Sequence, residues 1–208
     1  MKKCLLMLFA MGIVSVGQAV VIGDFEAGMD NWGPSWEGGA SFTIGSVPGT
    51  VTRGNNSVAV KLSDGGYWKM MWSAPSAPGL MNNVILTFDV TMYANEWSGN
   101  NWTKVADKIA FNSDSGWQEW TTATAVDRLT GLPTSTDWGP WAGDAFKSYR
   151  LEIPSYNALN WFQIVISFQQ NPVAGAGNFY IDNIQLIPEP TTIALLGLGA
   201  LPLLRKRQ

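Results

Sequence analysis

The run "VILTFDVTMY" at residues 84–93 decides the fold. Val84, Leu86, Phe88, Val90 and Met92 point to one side of an extended chain, and Thr87, Asp89, Thr91 and Tyr93 point to the other. Successive side chains of a strand leave on opposite faces, so a period of two marks a strand with one dry face and one wet one. The run "WFQIVISFQQ" at 161–170 repeats the device. There Phe162, Ile164, Ile166 and Phe168 oppose Trp161, Gln163, Ser167 and Gln169. Strands with a single dry face bury it by stacking one sheet on another.

Outward from these runs, further strands are expected at 20–26, 41–47, 56–63, 67–74, 104–112, 117–126, 148–153 and 178–187. Turn signals separate several of them, among them Asp64-Gly65-Gly66, Asp114-Ser115-Gly116 and Gly175-Ala176-Gly177. Gly and Pro are scattered throughout, and nothing between them reads as a long helix. Short, evenly spaced strands predict an all-β fold, a two-sheet antiparallel β-sandwich of the jelly-roll kind. Residues 20–187 have the length of one domain.

Both ends of the chain depart from this pattern. Lys2 and Lys3 precede an apolar stretch from Cys4 to Val16, which runs into the small-x-small sequence Gly17-Gln18-Ala19. Residues 1–19 therefore read as a cleavable signal peptide. The one cysteine leaves with it, which removes disulfides and thiol chemistry from the mature chain. All sixteen acidic residues fall between Asp24 and Glu189, against eight of the thirteen basic ones. An acidic body disfavours nucleic acid, which needs a basic patch, and suits oxygen-ligated cations.

At the other end, Pro188-Glu189-Pro190 is followed by an uncharged run from Thr191 to Leu204 and then by Arg205, Lys206 and Arg207. As a short C-terminal helix the run reaches about 21 Å, less than a hydrocarbon core of about 30 Å. Tripeptide, apolar run and basic cluster at 188–208 resemble, in this order, the PEP-CTERM sorting signal of bacterial surface proteins. The resemblance implies an exported protein whose tail inserts transiently in the membrane and is cleaved by an exosortase-type membrane protease. It places the body at the cell surface, outer envelope or extracellular matrix of a Gram-negative-type bacterium. The basic cluster agrees with a body outside the cytoplasm.

Three stretches of the body carry a second resemblance: "GDFEAGMDNWGP" (23–34), "GNNSVAVKLS" (54–63) and "GNFYIDNIQLIPEP" (177–190). In this order they resemble the first strand, an early strand and the last strand of carbohydrate-binding-module-like, or galactose-binding-like, jelly rolls. That family implies a sandwich of eight to ten strands, often with a structural calcium near the paired first and last strands and with a glycan site lined by aromatics. Glu26 and Asp182 match the family's calcium-ligand positions, and Asn55 and Asn56 could add oxygens to the six to eight that calcium takes. The alternative is a solvated Glu26 and a turn-capping Asp182.

Tryptophan usage is heavy, eleven residues in all. Trp32, Trp68, Trp72 and Trp120 lie in strand-like patterns that suit packing. Trp97 and Trp102, in "ANEWSGNNWTK", follow Tyr93, while Trp138 and Trp141 lie in the irregular "GLPTSTDWGPWAGDAF". Rings in such stretches suit a pyranose, whose C–H face stacks on an indole and whose hydroxyls need amide partners. The expected glycan-binding residues are Tyr93, Trp97, Trp102, Trp138 and Trp141, with Gln163 as polar contact and Asn95 and Gln169 as further candidates. The alternative for the loop rings is that they seal the ends of the sandwich.

Catalysis has little to work with. The chain has no histidine, so Ser-His-Asp and Cys-His nucleophiles and imidazole-ligated metals are excluded. A glycosidase needs only two carboxylates, yet Glu96, Glu119, Asp107 and Asp137 show no recognisable spacing. The expectation is a non-catalytic module that binds a polysaccharide or exopolysaccharide. The alternatives are a structural matrix or envelope protein without a ligand, or a two-carboxylate glycoside hydrolase.

Overall fold

The computed structural model describes residues 19–35, 39–62, 66–75, 79–97, 103–120, 123–138, 143–170 and 177–188. The signal-peptide residues 1–18 and the tail from Glu189, with Pro190, Arg205, Lys206 and Arg207, lie outside them. The strands are β1 (Val20–Gly23), β2 (Trp32–Pro34), β3 (Ala40–Gly45), β4 (Ser57–Leu62), β5 (Gly66–Ser73), β6 (Gly79–Met92) and β7 (Thr103–Ser113). They continue with β8 (Gly116–Trp120), β9 (Thr124–Asp127), β10 (Pro133–Thr134), β11 (Asp137–Trp138), β12 (Ala145–Ala158), β13 (Phe162–Gln170) and β14 (Asn178–Pro188). One 3-10 turn, Ala94–Glu96, follows β6.

These strands form the expected two-sheet antiparallel β-sandwich. An eight-stranded sheet runs β10-β9-β12-β6-β14-β4-β3, with β1 beside β14, and a six-stranded sheet runs β11-β7-β13-β5-β2, with β8 beside β7. The alternation seen in the sequence orients both: Leu86, Phe88, Val90 and Met92 of β6 and Phe162, Ile164, Ile166 and Phe168 of β13 are buried between the sheets. Aromatic rings bridge the layers, with Phe168 of β13 on Phe179 of β14 at 5.2 Å and Phe111 of β7 on Tyr156 of β12 at 5.3 Å. Strand 117–126 of the sequence reading is in fact two, β8 and β9, and they belong to different sheets.

The segment 133–138 crosses between the layers, since β10 pairs with β9 in one sheet and β11 with β7 in the other. Lys147, buried on β12, holds the crossing: its Nζ donates to the carbonyls of Ser135 and Asp137, both at 2.7 Å. Tyr149 Oη adds a bond to the Thr136 carbonyl at 3.2 Å. Burial lowers the Lys147 pKa, opposed by the nearby Asp137 charge.

Four tyrosines titrate late. Burial raises the pKa of Tyr93, Tyr149 and Tyr156, and burial together with a hydrogen bond to Glu96 pushes Tyr180 up to about 12. A phenol whose folded pKa exceeds its unfolded value of about 10 contributes stability that is whole below that pH and lost as pH climbs through the folded value. In an alkaline titration, tyrosinate absorbance from these residues should therefore rise together with the loss of circular dichroism. Full ionisation near pH 10 with the fold intact would contradict their burial.

Candidate functional site

Strand register aligns a row of side chains on the outer face of the six-stranded sheet. Gln163 of β13 lies opposite Ser73 of β5 and Asn112 of β7, and Asn112 lies opposite Trp117 of β8. Directly opposed residues share a face, and four strands about 4.8 Å apart give the row a length of about 14 Å. Asn112 Nδ2 donates to Gln163 Oε1 at 3.0 Å, and Gln163 Nε2 reaches Ser73 Oγ at 3.4 Å. Each amide is thereby oriented while keeping further donor and acceptor capacity.

The adjoining row is Glu119, Ala110, Val165 and Met71. Ala110 and Val165 are only 2% exposed, so side chains of this face cover them. Trp117 is 38% exposed, and its Nε1 donates to Glu119 Oε1 at 2.9 Å, while Lys108 pairs with Glu119 Oε2 at 3.2 Å. Trp161, 43% exposed, stands two residues ahead of Gln163 in the same alternation. The turn that delivers it is fixed by Asp114, whose carboxylate accepts from Leu159 N, Asn160 N and Asn160 Nδ2 at 3.0, 3.1 and 2.7 Å. Trp117 thus shares a face with the ordered amide row, and the exposed Trp161 immediately precedes the strand that carries Gln163.

The other expected platform residues are elsewhere. Trp97 and Trp138, 6% and 5% exposed, are core residues and not platforms. Their rings meet at 5.3 Å, and Trp97 also packs on Phe179 at 5.1 Å. The physical reason is the crossing at 133–138: β11 pairing and the Lys147 bonds turn Trp138 inward, where it meets Trp97 behind the 3-10 turn. Tyr93 does not join Gln163 either. It packs against Phe146 and Tyr180 on the eight-stranded sheet, and its hydroxyl donates to the Pro48 carbonyl. Trp102 and Trp141 lie outside the described residues.

Three of the four carboxylates weighed for hydrolysis, Glu96, Asp107 and Glu119, are engaged separately. Glu96 accepts from Tyr180 Oη at 2.6 Å and from Asn178 N and Nδ2 at 3.1 and 2.9 Å. Asp107 meets Lys104 at 3.4 Å, and Glu119 meets Lys108. Register does set Asp89 of β6 opposite Asp182 of β14. Yet Asp182 is fully buried, and Asp89 accepts from Ser148 Oγ at 2.5 Å and Asn183 Nδ2 at 3.2 Å. Asp182 is thus closed to solvent and Asp89 is engaged by two donors, which leaves neither placed as the acid or the base of a glycoside hydrolase.

Glu26 and Asp182, the expected calcium ligands, reach the same turn. Asp182 Oδ2 accepts from Thr52 N, Arg53 N and Thr52 Oγ1 at 2.6, 2.7 and 3.2 Å, and its Oδ1 accepts from Asn183 N at 2.6 Å. Glu26 Oε1 accepts from Asn55 N and Asn56 N at 2.6 and 2.8 Å, and Oε2 from Asn55 Nδ2 at 3.0 Å. The Asn55 amide N–H lowers the Glu26 pKa most. Among the described residues, no group of three or more Asp, Glu, His or Cys could hold a metal ion.

Comparison with known proteins agrees with the fold. No family model and no curated relative matches the chain. Among solved structures, the chain resembles the CBM27-1 module of Caldicellulosiruptor saccharolyticus, solved in complex with mannohexaose. The TM-score is 0.54 at 14% identity, covering 83% of this chain and 98% of that one. A carbohydrate-binding module of the β-sandwich superfamily with promiscuous specificity matches at TM-score 0.51 and 13% identity, over 80% of this chain and 61% of that one. The enzymatically active domain of bacteriophage CBA120 tailspike protein 4 matches at 14% identity and TM-score 0.46, over 80% of this chain, which spans only 21% of that domain. At these identities the likeness speaks for the fold alone.

Proposed function

We propose that the protein is a non-catalytic module that binds a polysaccharide on the outer face of its six-stranded sheet. The observation that carries this reading is the pair of exposed indoles, Trp117 and Trp161, beside the hydrogen-bonded row Asn112, Gln163 and Ser73. An indole face stacks on the C–H face of a pyranose, and oriented amides pair with its hydroxyls. Two modules of the same fold are carbohydrate-binding in their own right, which supports the reading by analogy. Pre-ordering of the amides lowers the entropy lost on binding, but an open face leaves much of a sugar hydrated, so Kd is expected between about micromolar and millimolar.

The terminal segments extend the proposal. A signal peptide at 1–19 and the Pro188-Glu189-Pro190 tail with its Arg-Lys-Arg end support export and exosortase-type sorting to the cell surface or extracellular matrix. The burial of Trp97 and Trp138 favours a second reading, a structural matrix protein with no ligand, because it removes two of the expected platforms. A panel of immobilised plant and bacterial polysaccharides separates the two. Selective retention of the purified protein on at least one of them is expected, and passage through all of them would leave the structural reading.

A further inference from the structure

The turn at Thr52–Asn56 is where the resemblance to calcium-binding jelly rolls and the observed chemistry part. Calcium is a hard cation that collects six to eight oxygen lone pairs. The oxygens on offer here face donors instead. Six hydrogen bonds run from this turn to two carboxylates: from Thr52 N, Thr52 Oγ1 and Arg53 N to Asp182, and from Asn55 N, Asn55 Nδ2 and Asn56 N to Glu26. A seventh, from Asn183 N, takes the remaining oxygen of Asp182. Every one of these donors directs the positive end of an N–H or O–H bond at an oxygen where a cation would sit. Like-signed neighbours repel, and a cation at Asp182 would displace partly buried donors from their acceptor.

The backbone of the turn is fitted to this arrangement. Gly54 has a φ of 72°, and a Cβ there would lie 2.6 Å from Glu26 Cδ and Oε1, so the chain wraps the carboxylate more closely than a side chain permits. Successive backbone N–H groups that converge on one anionic oxygen form a concave anion site. In this molecule the anions are its own side chains, one just after β1 and one in β14. The Arg53 Nε lies 3.9 Å from Asp24 Oδ2, a further tie between the turn and the chain's start.

We infer that the turn 52–56 occupies the role of a structural metal. Glu26 and Asp182 clasp its amides, and the joined first and last strands are closed without calcium. The inference concerns the closure of the sandwich and stands apart from the glycan reading.

Thermal melts of the purified protein in calcium and in excess chelator test it. The two curves are expected to coincide, and Asp182→Asn and Glu26→Gln should each lower the melting temperature by the same amount in both conditions. Asn and Gln keep the shape but bring an NH2 group toward amide donors, so the clasp loses acceptors. A wild-type melting temperature that falls in chelator and recovers with calcium would overturn the inference. So would a stoichiometric calcium site in a calorimetric titration, or variants that melt like the wild type. A variant that fails to fold leaves the wild-type comparison and the titration as the deciding measurements.

Discussion

Trp97→Ala is expected to cost about 3–5 kcal/mol of stability, the range for truncating a large aromatic in a packed core. For a domain of this size that corresponds to a fall of roughly 6–20 °C in melting temperature. The ring is nearly inaccessible and packs edge-on against both Trp138 and Phe179, so its removal opens a cavity between the sheets. The surroundings cannot collapse easily, because Trp138 is held by β11 pairing and by its Nε1 bond to the Gly143 carbonyl at 3.0 Å. Trp97→Phe should be much milder. It keeps a ring in the site and removes an indole N–H that has no hydrogen-bond partner among the described residues. Melting of Trp97→Ala at the wild-type temperature would mean that the ring is not part of the core.

The sandwich was legible because two runs state it without ambiguity. At 84–93 and 161–170 every second residue is apolar over several turns of the alternation, and a register error would move the whole set to solvent. Trp97 and Trp138 were not legible as core. Their neighbours are Asn, Gly, Ser and Pro, and β10 and β11, at two residues each, are too short for any period to show. What turns Trp138 inward is partly Lys147, nine positions away and on another strand. Trp117 carries a signal in the sequence as well. In β8 the alternation sets Trp117 and Glu119 on one face, while Trp120, on the other, packs edge-on against Phe111 at 4.9 Å. Trp161 stands two residues before Gln163, so the residue expected as a polar contact already pointed to an exposed ring nearby in the chain.

Loss of Trp117 and Trp161 is the second large effect expected, on binding and not on folding. Both rings are more than a third exposed, so each truncation removes stacking area without opening a core cavity. Truncating a central aromatic contact costs about 2 kcal/mol, roughly thirty-fold in Kd, and a weak binder with both rings gone falls below detection. Gln163→Ala should weaken binding less, since Asn112 remains, although its amide loses the bond that orients it. Calorimetric titration of the preferred polysaccharide into wild type and the Trp117→Ala, Trp161→Ala double variant, with a melting curve for each, addresses the central claim most directly. The double variant is expected to give no binding heat and to melt close to the wild type. Wild-type affinity in a folded double variant would contradict it, and would put any glycan site away from this face.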